Sequence, residues 1–243
     1  MKIRILPLIW GMAVAPPGAA SAETLELVFA LPDAAPQAFS GNELRHGIAG
    51  DACIEAAERA GFLGRVEFPP WRRAQDEVSS GKDRLIAGLA RIPERETRFT
   101  WIYPIMSMGR AFVTLDRRIE SYVQAAAELR YILVGLGAAE YDILRANGIP
   151  ESQIRQVRFD AQEAGMMLAG RADGWFNTIP QARWFIKNHP ETKGLVIGPA
   201  LNVTDQYVAC SRLCSPELVA ALTDALASMK ADGTLDRIVS SYE

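Results

Sequence analysis

The amino-acid sequence predicts an α/β protein made of two similar blocks of strands and helices. In the first block, an amphipathic helix at residues 73–80 is followed by a glycine–aspartate turn and by the short apolar run of residues 85–89. A continuous apolar run of this length is typical of a strand that is covered on both faces. Residues 170–174 repeat the turn before a second short strand. Strands that alternate with helices in this way indicate an α/β architecture.

The first 22 residues have the three parts of a secretory signal peptide. Lys2 and Arg4 make the start basic, residues 5–15 are apolar, and Ala-Ser-Ala at 20–22 is a small-residue cleavage site. The apolar part is too short to cross a bilayer, and no cysteine near residue 22 could carry a lipid anchor. A first core strand is the alternative interpretation. We expect an exported protein, located in the periplasm.

Apolar runs and helical periodicity locate the remaining elements. Short apolar runs indicate strands, and apolar residues three or four apart, ended by glycine, indicate helices. The expected strands are residues 25–31, 66–68, 131–136, 153–159 and 175–177, and the expected helices are 47–61, 122–129, 140–147, 161–169, 179–188, one that begins at Pro216 and stops at Asp232, and 235–242. Residues 105–115 suit a chain that crosses between two lobes, and residues 195–203 and 207–210 suit its return.

The chain has three cysteines, and export would place them in an oxidising compartment. Cys210 and Cys214 are separated by three residues at the end of a predicted strand, and we expect them to form a disulfide. A metal-binding pair is the alternative, but His46 and His189, the two histidines, have no cysteine or histidine close in sequence. Cys53 lies on the apolar side of a helix, as expected of a buried free thiol. No metal site is expected.

An ordered series of segments resembles the family 3 extracellular solute-binding proteins, best known as periplasmic receptors for polar amino acids. The series consists of an aromatic residue before a helix, a glycine–aspartate turn, an apolar strand, a loop with an arginine, a repeat of the turn, and a characteristic C-terminus. The matching positions are Trp71, Gly81, Asp83, the run 85–89, the loop 91–95, the turn 170–174, and residues 229–234 with Ile238 and Tyr242.

The resemblance implies the type II periplasmic-binding-protein fold. Each of its two lobes is a mixed sheet flanked by helices, and two crossing hinge strands join the lobes. We expect lobe I to comprise residues 23–113 and 207–243, and lobe II to comprise residues 114–206. The ligand would lie between the lobes, which close around it.

Arg95 is the position that the resemblance assigns to the ligand's carboxylate. A guanidinium suits this role because it is planar, permanently charged and able to bind two oxygens at once. Backbone groups of Gly88, Leu89 and Ala90 would complete the anion contacts. The alternative is a surface arginine that pairs with Glu94 or Glu96. Arg91 either adds positive charge to the site, faces solvent or pairs with an acid.

Two aromatic residues and one turn are further candidates for ligand contacts. Trp71 is expected to form an aromatic wall of the cleft, and Phe39 is the nearest match to an aromatic residue that follows prolines in the family. Packing within the fold is the alternative for both rings. Gly137 and Ala138 lie where a strand turns into a helix, and backbone N–H groups at such a point can bind an anion.

The charged partner for an α-ammonium group is absent where the family has it. Amino-acid-binding members carry an acid a few residues after the second turn, whereas this chain has Asn177 and Thr178. A desolvated ammonium without a partner is costly. We therefore expect a ligand with a carboxylate and hydroxyl or amide groups, an organic acid or an atypical amino acid, rather than a standard α-amino acid.

Catalysis is not expected, because the sequence has no nucleophile elbow and no metal-ligand spacing. Periplasmic dehydratases of cyclohexadienyl acids are similar to these receptors and form the alternative. Such an enzyme would need an acid in the cleft, for which Asp33, Glu43 and Asp173 are candidates. A ligand-presenting partner of a membrane sensor is a third possibility.

Composition restricts the partners. The formal net charge of −3 becomes −5 once Lys2 and Arg4 are removed with the signal peptide. This acidic balance, with its arginines scattered, gives no footprint for nucleic acid. The expected protein is a monomer without a cofactor. It would bind a small anionic or zwitterionic solute and deliver it to an ABC permease or a membrane sensor.

Overall fold

The computed structural model describes residues 25–41, 45–158 and 162–242. The predicted signal peptide and Glu43 lie outside this range. The strands are β1 (Glu26–Ala30), β2 (Leu63–Glu67), β3 (Leu85–Ala90), β4 (Phe99–Thr114), β5 (Ile132–Gly135), β6 (Ile154–Val157), β7 (Gly174–Thr178), β8 (Val196–Ile197) and β9 (Asn202–Ser211). The helices are α1 (Gly47–Arg59), α2 (Trp71–Ser80), α3 (Tyr122–Glu128), α4 (Ala139–Ala146), α5 (Gln162–Leu168), α6 (Ile179–Asn188), α7 (Pro216–Ala231) and α8 (Thr234–Ser240).

The strands of the described residues form one mixed sheet in the order β2-β1-β3-β9-β4-β7-β5-β6, with β8 paired to β4. The triplets β2-β1-β3 and β6-β5-β7 are both parallel and have the same internal order. The predicted α/β fold with two similar blocks is therefore confirmed.

Two long antiparallel strands connect the blocks. β4 pairs with β9 from Phe99–Ser211 to Arg110–Asn202, and it continues into a pairing with β7. β9 pairs with β3 on its other side. Register shifts on either side of Pro104 accommodate a residue that cannot donate a ladder hydrogen bond. β4 and β9 are thus the two crossing strands of a two-lobed molecule.

The hydrophobic core is divided in the same way. One large cluster packs α1, α7 and α8 against β1 and β3, and includes Phe29, Leu85 and Leu226. A second packs α3 and α4 against β5 and β7, and includes Phe112, Ile132 and Phe176. The first draws its residues from both ends of the chain and the second mainly from the middle. We call these parts the terminal half and the middle half.

Two aspartates fix the repeated turns. The Asp83 carboxylate accepts a hydrogen bond from the Ser215 backbone N–H at 2.5 Å, and this bond lowers the pKa of Asp83. The Asp173 carboxylate accepts one from the Tyr131 N–H at 2.8 Å. Each turn therefore ties the start of its strand to a neighbouring segment. Asp173 has a structural role, and its position lies outside the cavity described below.

The three cysteines differ in state. Cys210 at the end of β9 is bonded to Cys214, with Cα atoms 5.9 Å apart. Cys53 is a free thiol buried on α1, and burial raises its pKa above the ordinary value. Asp83 lies close to the disulfide sulfurs, but sulfurs that are bonded to each other are not thiolate ligands. Among the helices described, none has the length and apolarity that a membrane span requires.

Candidate functional site

A small polar cavity lies where the two halves meet. Its walls come from the carboxyl ends of β3 and β7 and from the segments that follow β1 and β5. Ligands of open α/β sheets bind at this edge. Its volume is about 30 Å³, space for roughly two water molecules. The two halves are therefore in contact around the cavity.

Arg95 is buried in this cavity and has no carboxylate partner among the described residues. It ends a single 3-10 turn, Pro93–Arg95, that follows β3, and it is 4% exposed. Its Nη1 donates to the Ala90 carbonyl at 3.1 Å and its Nη2 to the Gly137 carbonyl at 2.9 Å. Within the described part of the chain, Arg95 forms no ion pair. The surface pairing with Glu94 or Glu96 is not what the structure has.

Burial lowers the pKa of Arg95 from its ordinary value of 12.5 to about 10, because the charged form is poorly solvated there. The negative charges of Glu140 and Asp142 oppose this shift, and the positive charge of Arg110 adds to it. A guanidinium with two carbonyl partners keeps three of its five N–H groups for other acceptors. Arg95 is consequently a buried cation with donors to spare, and its charge costs folding free energy.

A buried ion pair that the sequence did not predict stands in the same cavity. Arg110 Nε donates to Glu140 Oε1 at 2.5 Å, and the two side chains are 3% and 7% exposed. Arg110 Nη1 also donates to the Thr204 hydroxyl at 2.5 Å. Arg110 lies on β4 at the crossing, between Thr178 of β7 and Asn202 of β9.

The ionisable residues among those that line the cavity are Arg95, Arg110 and Glu140. Two positive groups and one negative group leave an excess of one positive charge. This excess concerns the lining residues alone, because Asp142, which is not among them, also acts on Arg95 with its negative charge.

The predicted site residues divide into two sets. Seven of them line the cavity: Trp71, Gly88, Ala90, Arg95, Ala138, Asn177 and Thr178. Phe39 lies outside it, and its ring packs against Tyr242 with centroids 6.1 Å apart. Leu89 is buried in the cluster that contains Trp71 and Ile86.

Gly137 contributes its carbonyl rather than its N–H group to this region. The carbonyl accepts from Arg95 and, at 2.8 Å, from Gln75 on α2. The N–H of Ala138 is also occupied, because it donates to the Gly135 carbonyl. At this turn the Gly137 carbonyl is therefore an acceptor that receives two donors from the terminal half.

The polar residues at the end of β7 are held by local hydrogen bonds. The Asn177 side-chain oxygen accepts from the Thr178 N–H at 2.6 Å. The Thr178 hydroxyl accepts from the Gln181 N–H and caps α6. These two residues are neutral hydrogen-bonding groups at the cavity wall, and neither supplies the charge that an ammonium requires.

Gln37 is a further cavity residue that the sequence did not reveal. Its Nε2 donates to the Gly88 carbonyl at 2.6 Å. Gly88 has φ +66°, and a Cβ atom there would lie 2.3 Å from Gln37 Nε2. Glycine is thus required at this point on β3, although nothing in the sequence linked it to Gln37, 51 residues away.

Arg91 lies outside the cavity. Its guanidinium pairs with Glu96 at 2.5 Å and lies over the rings of Trp101 and Tyr207, 5.4 and 5.3 Å from their centroids. Of the three interpretations of Arg91, pairing with an acid is therefore the one found in the structure, and the acid is Glu96.

The family model of the bacterial extracellular solute-binding proteins, family 3, matches residues 27–243 of this chain. The chain belongs to this family, as the ordered motifs indicated. A search of curated proteins found no match.

Solved structures show how widely this fold is used. AbpA of Streptococcus pneumoniae, an amino acid ABC transporter substrate-binding protein bound to L-arginine, has a TM-score of 0.75 and 19% identity, over 89% of this chain and 94% of AbpA. A histidine kinase sensor domain with similarity to periplasmic binding proteins has a TM-score of 0.80 and 16% identity, over 90% of this chain and 96% of the sensor domain. AncCDT-1, an ancestral amino acid-binding protein and precursor of cyclohexadienyl dehydratase, has a TM-score of 0.76 and 20% identity, over 89% of this chain and 94% of AncCDT-1.

Proposed function

We propose that this protein is a periplasmic receptor that captures a small monocarboxylate between its two lobes and delivers it to an ABC transporter. The observation that carries the proposal is Arg95, a buried guanidinium that lines the cavity and has only carbonyl partners. A ligand carboxylate would supply the missing counter-ion. The neutral side chains of Gln37 and Asn177 would bind hydroxyl or amide groups of the same ligand.

The charge balance favours an acid over a zwitterion. A monoanion neutralises the excess positive charge of the cavity. A standard amino acid brings no net charge, and its ammonium would have to share Glu140 with Arg110. The small volume favours a ligand with few heavy atoms.

The proposed lobes are residues 23–113 with 207–243 and residues 114–206, and the mature chain would begin after the signal peptide at 1–22. Opening about β4 and β9 would admit the ligand. The contacts of Arg95 and Gln75 with the Gly137 carbonyl would form on closure. These contacts and the bound ligand would together stabilise the closed form. The protein would act as a monomer.

Binding rather than catalysis is supported by the positions of the acids. Asp33 accepts hydrogen bonds from Ser40 and Asp173 accepts one from Tyr131, both away from the cavity. Glu140 does line it, but this carboxylate is paired with Arg110. A dehydratase would release product from prephenate-like acids, and incubation with such acids tests this alternative. Neighbouring genes for a permease and an ATPase, rather than for a sensor kinase, would indicate transport.

A thermal-shift screen of organic acids and amino acids tests the proposed ligand class. We expect small monocarboxylates such as lactate and 2-hydroxybutanoate to raise the melting temperature, since a ligand that binds only the native state stabilises it. Common amino acids are expected to give little or no shift. A strong shift with arginine, glutamine or histidine would contradict the proposed class.

Gly137→Ala is expected to weaken ligand binding by opposing closure. Gly137 has φ +78°, and an added Cβ would lie 3.0 Å from Arg72 Cβ and 3.1 Å from Arg72 Cα on α2. This crowding costs the closed form about 1–3 kcal/mol, which is roughly fivefold to a hundredfold in affinity. Calorimetric titration of the strongest acid from the screen measures it.

Gly148→Ala is the matched control for this variant. Gly148 has φ +84° but no atom within 4 Å of an added Cβ. Both variants share the cost of a left-handed backbone, about 1–2 kcal/mol of folding free energy, whereas crowding against α2 is particular to Gly137. Equal affinities for the two variants would show that closure at Gly137 does not contribute to binding.

A further inference from the structure

We propose that Glu140 determines the specificity of the cleft by occupying Arg110 in place of a second ligand carboxylate. The inference rests on the proposed function, since it concerns which carboxylates the same cavity accepts. Arg95 would receive the ligand's carboxylate, and Arg110 is the second guanidinium that lines the cavity. In the described structure, the partner of this second guanidinium is part of the chain itself.

The geometry of the pair supports this role. Glu140 Oε1 accepts from Arg110 Nε, one of the two donors on the edge of a guanidinium where carboxylates bind at two points. Arg110 Nη1 is directed to Thr204 on the neighbouring strand β9. Glu140 therefore occupies the Nε side of Arg110, and on the opposite side Nη1 already donates to Thr204, so a ligand carboxylate would have to compete with one of these two partners.

The position of Glu140 in the fold keeps its carboxylate charged and held against Arg110. It lies in the first turn of α4, where the helix dipole favours a negative charge. Its side chain is buried, and removing it from Arg110 would leave both charges without a partner. A ligand carboxylate that competes for Arg110 must therefore displace a carboxylate that is already in place and does not diffuse away.

The consequence is selection by charge number. With Glu140 present, the cavity has an excess of one positive charge and accepts one carboxylate. A dicarboxylate of the same length would bring its second carboxylate next to that of Glu140, and like charges repel at close range. Without the charge of Glu140, Arg95 and Arg110 would form a pair of cations suited to a dicarboxylate.

Two pairs of probes test this inference, lactate with hydroxymalonate and 2-hydroxybutanoate with malate. In each pair the second compound has a carboxylate in place of a methyl group. Calorimetric titration gives the ratio of the two dissociation constants for the wild type and for Glu140→Gln. The wild type should bind the monocarboxylates more tightly. In Glu140→Gln the ratio should shift towards the dicarboxylates by about a hundredfold, the scale of a buried charge pair.

The double variant Arg110→Met/Glu140→Gln is the control. It lacks the freed guanidinium and should again prefer the monocarboxylates. Circular dichroism establishes whether each variant is folded. If Glu140→Gln does not fold alone, malate should restore its folded state and 2-hydroxybutanoate should not, because a ligand that occupies Arg110 supplies the missing partner.

The outcomes separate this inference from the proposed function. If the wild type binds monocarboxylates and Glu140→Gln keeps the wild-type ratio, the specificity role of Glu140 is wrong and the proposed function stands. If the wild type binds hydroxymalonate and malate as tightly as lactate and 2-hydroxybutanoate, the proposed role of Glu140 in specificity is also wrong. If the wild type binds none of the four probes, the proposed function itself is contradicted.

Discussion

Replacing Arg95 with methionine is expected to abolish carboxylate binding and to leave the fold at least as stable as the wild type. Losing the charged partner of a buried ligand carboxylate costs about 2–5 kcal/mol of binding free energy. Arg95 forms no ion pair within the described residues, so its removal breaks no direct contact with a protein carboxylate; only the nearby Asp142 loses a favourable charge. The variant separates a binding role from a structural one.

The expected gain in stability follows from the pKa of Arg95. Burial lowers this pKa to about 10, so the folded chain binds the proton less tightly than the unfolded chain, in which arginine keeps its ordinary value of 12.5. The cost of the charge is fully present below pH 10, and it is lost as the pH rises from 10 towards 12.5. At neutral pH, methionine removes this cost.

Urea unfolding without ligand and calorimetric titration with the strongest acid from the screen measure the two effects. Arg91→Met is the matched control, because Arg91 is four residues from Arg95 but pairs with Glu96 outside the cavity. The affinity of the Arg91→Met variant for the acid should match that of the wild type. Arg95→Lys keeps the charge and loses the planar fork, so an intermediate affinity is expected. Full affinity in Arg95→Met would remove Arg95 from the binding site.

Arg110→Met is expected to destabilise the protein by about 3–5 kcal/mol, since it leaves the Glu140 carboxylate buried without its partner. The pair has side chains that are 3% and 7% exposed, so water cannot readily replace the lost contact. Urea unfolding of the variant against the wild type gives the difference in unfolding free energy.

The double variant Arg110→Met/Glu140→Leu tests the reason for that loss. Replacing a whole buried ion pair with apolar residues of similar size is often neutral or stabilising, so the double variant should regain most of the stability. It should still prefer monocarboxylates to dicarboxylates, because it has no second guanidinium for a second ligand carboxylate. A single variant as stable as the wild type would show that the pair contributes little to the fold.

The fold was predictable because its main elements have local signals. The apolar run of β3 and the glycine–aspartate turns at Asp83 and Asp173 define buried strands without any knowledge of their partners. β2 was placed three residues late. Its residues alternate between exposed and half-buried positions at the edge of the sheet, whereas the prediction followed the apolar residues at 66–68.

The aromatic-rich stretch before Pro104 reads as an extended segment, but its continuity with residues 105–115 in one strand was missed for a related reason. The strand begins at Phe99, six residues before the predicted apolar segment, and it includes Pro104 at a register shift. Proline argues against a strand interior unless the ladder is already irregular there. The irregularity depends on the pairing of β4 with β9, which a single sequence does not reveal.

The cleft was predictable only where the family motif reached it. Arg95 and Trp71 belong to that motif, and both line the cavity. Arg110 carried a usable signal, because it is a lone charge within the apolar segment 105–115 and a buried arginine needs a partner. The identity of that partner was not available, since Glu140 is 30 residues away and meets Arg110 only when the two halves fold together.

A crystal structure of the protein with its strongest binder from the acid screen tests the central claim most directly. We expect the ligand carboxylate within hydrogen-bond distance of the Arg95 guanidinium, with the Arg110–Glu140 pair intact beside it. A ligand bound elsewhere, or one whose carboxylate points away from Arg95, would contradict the account.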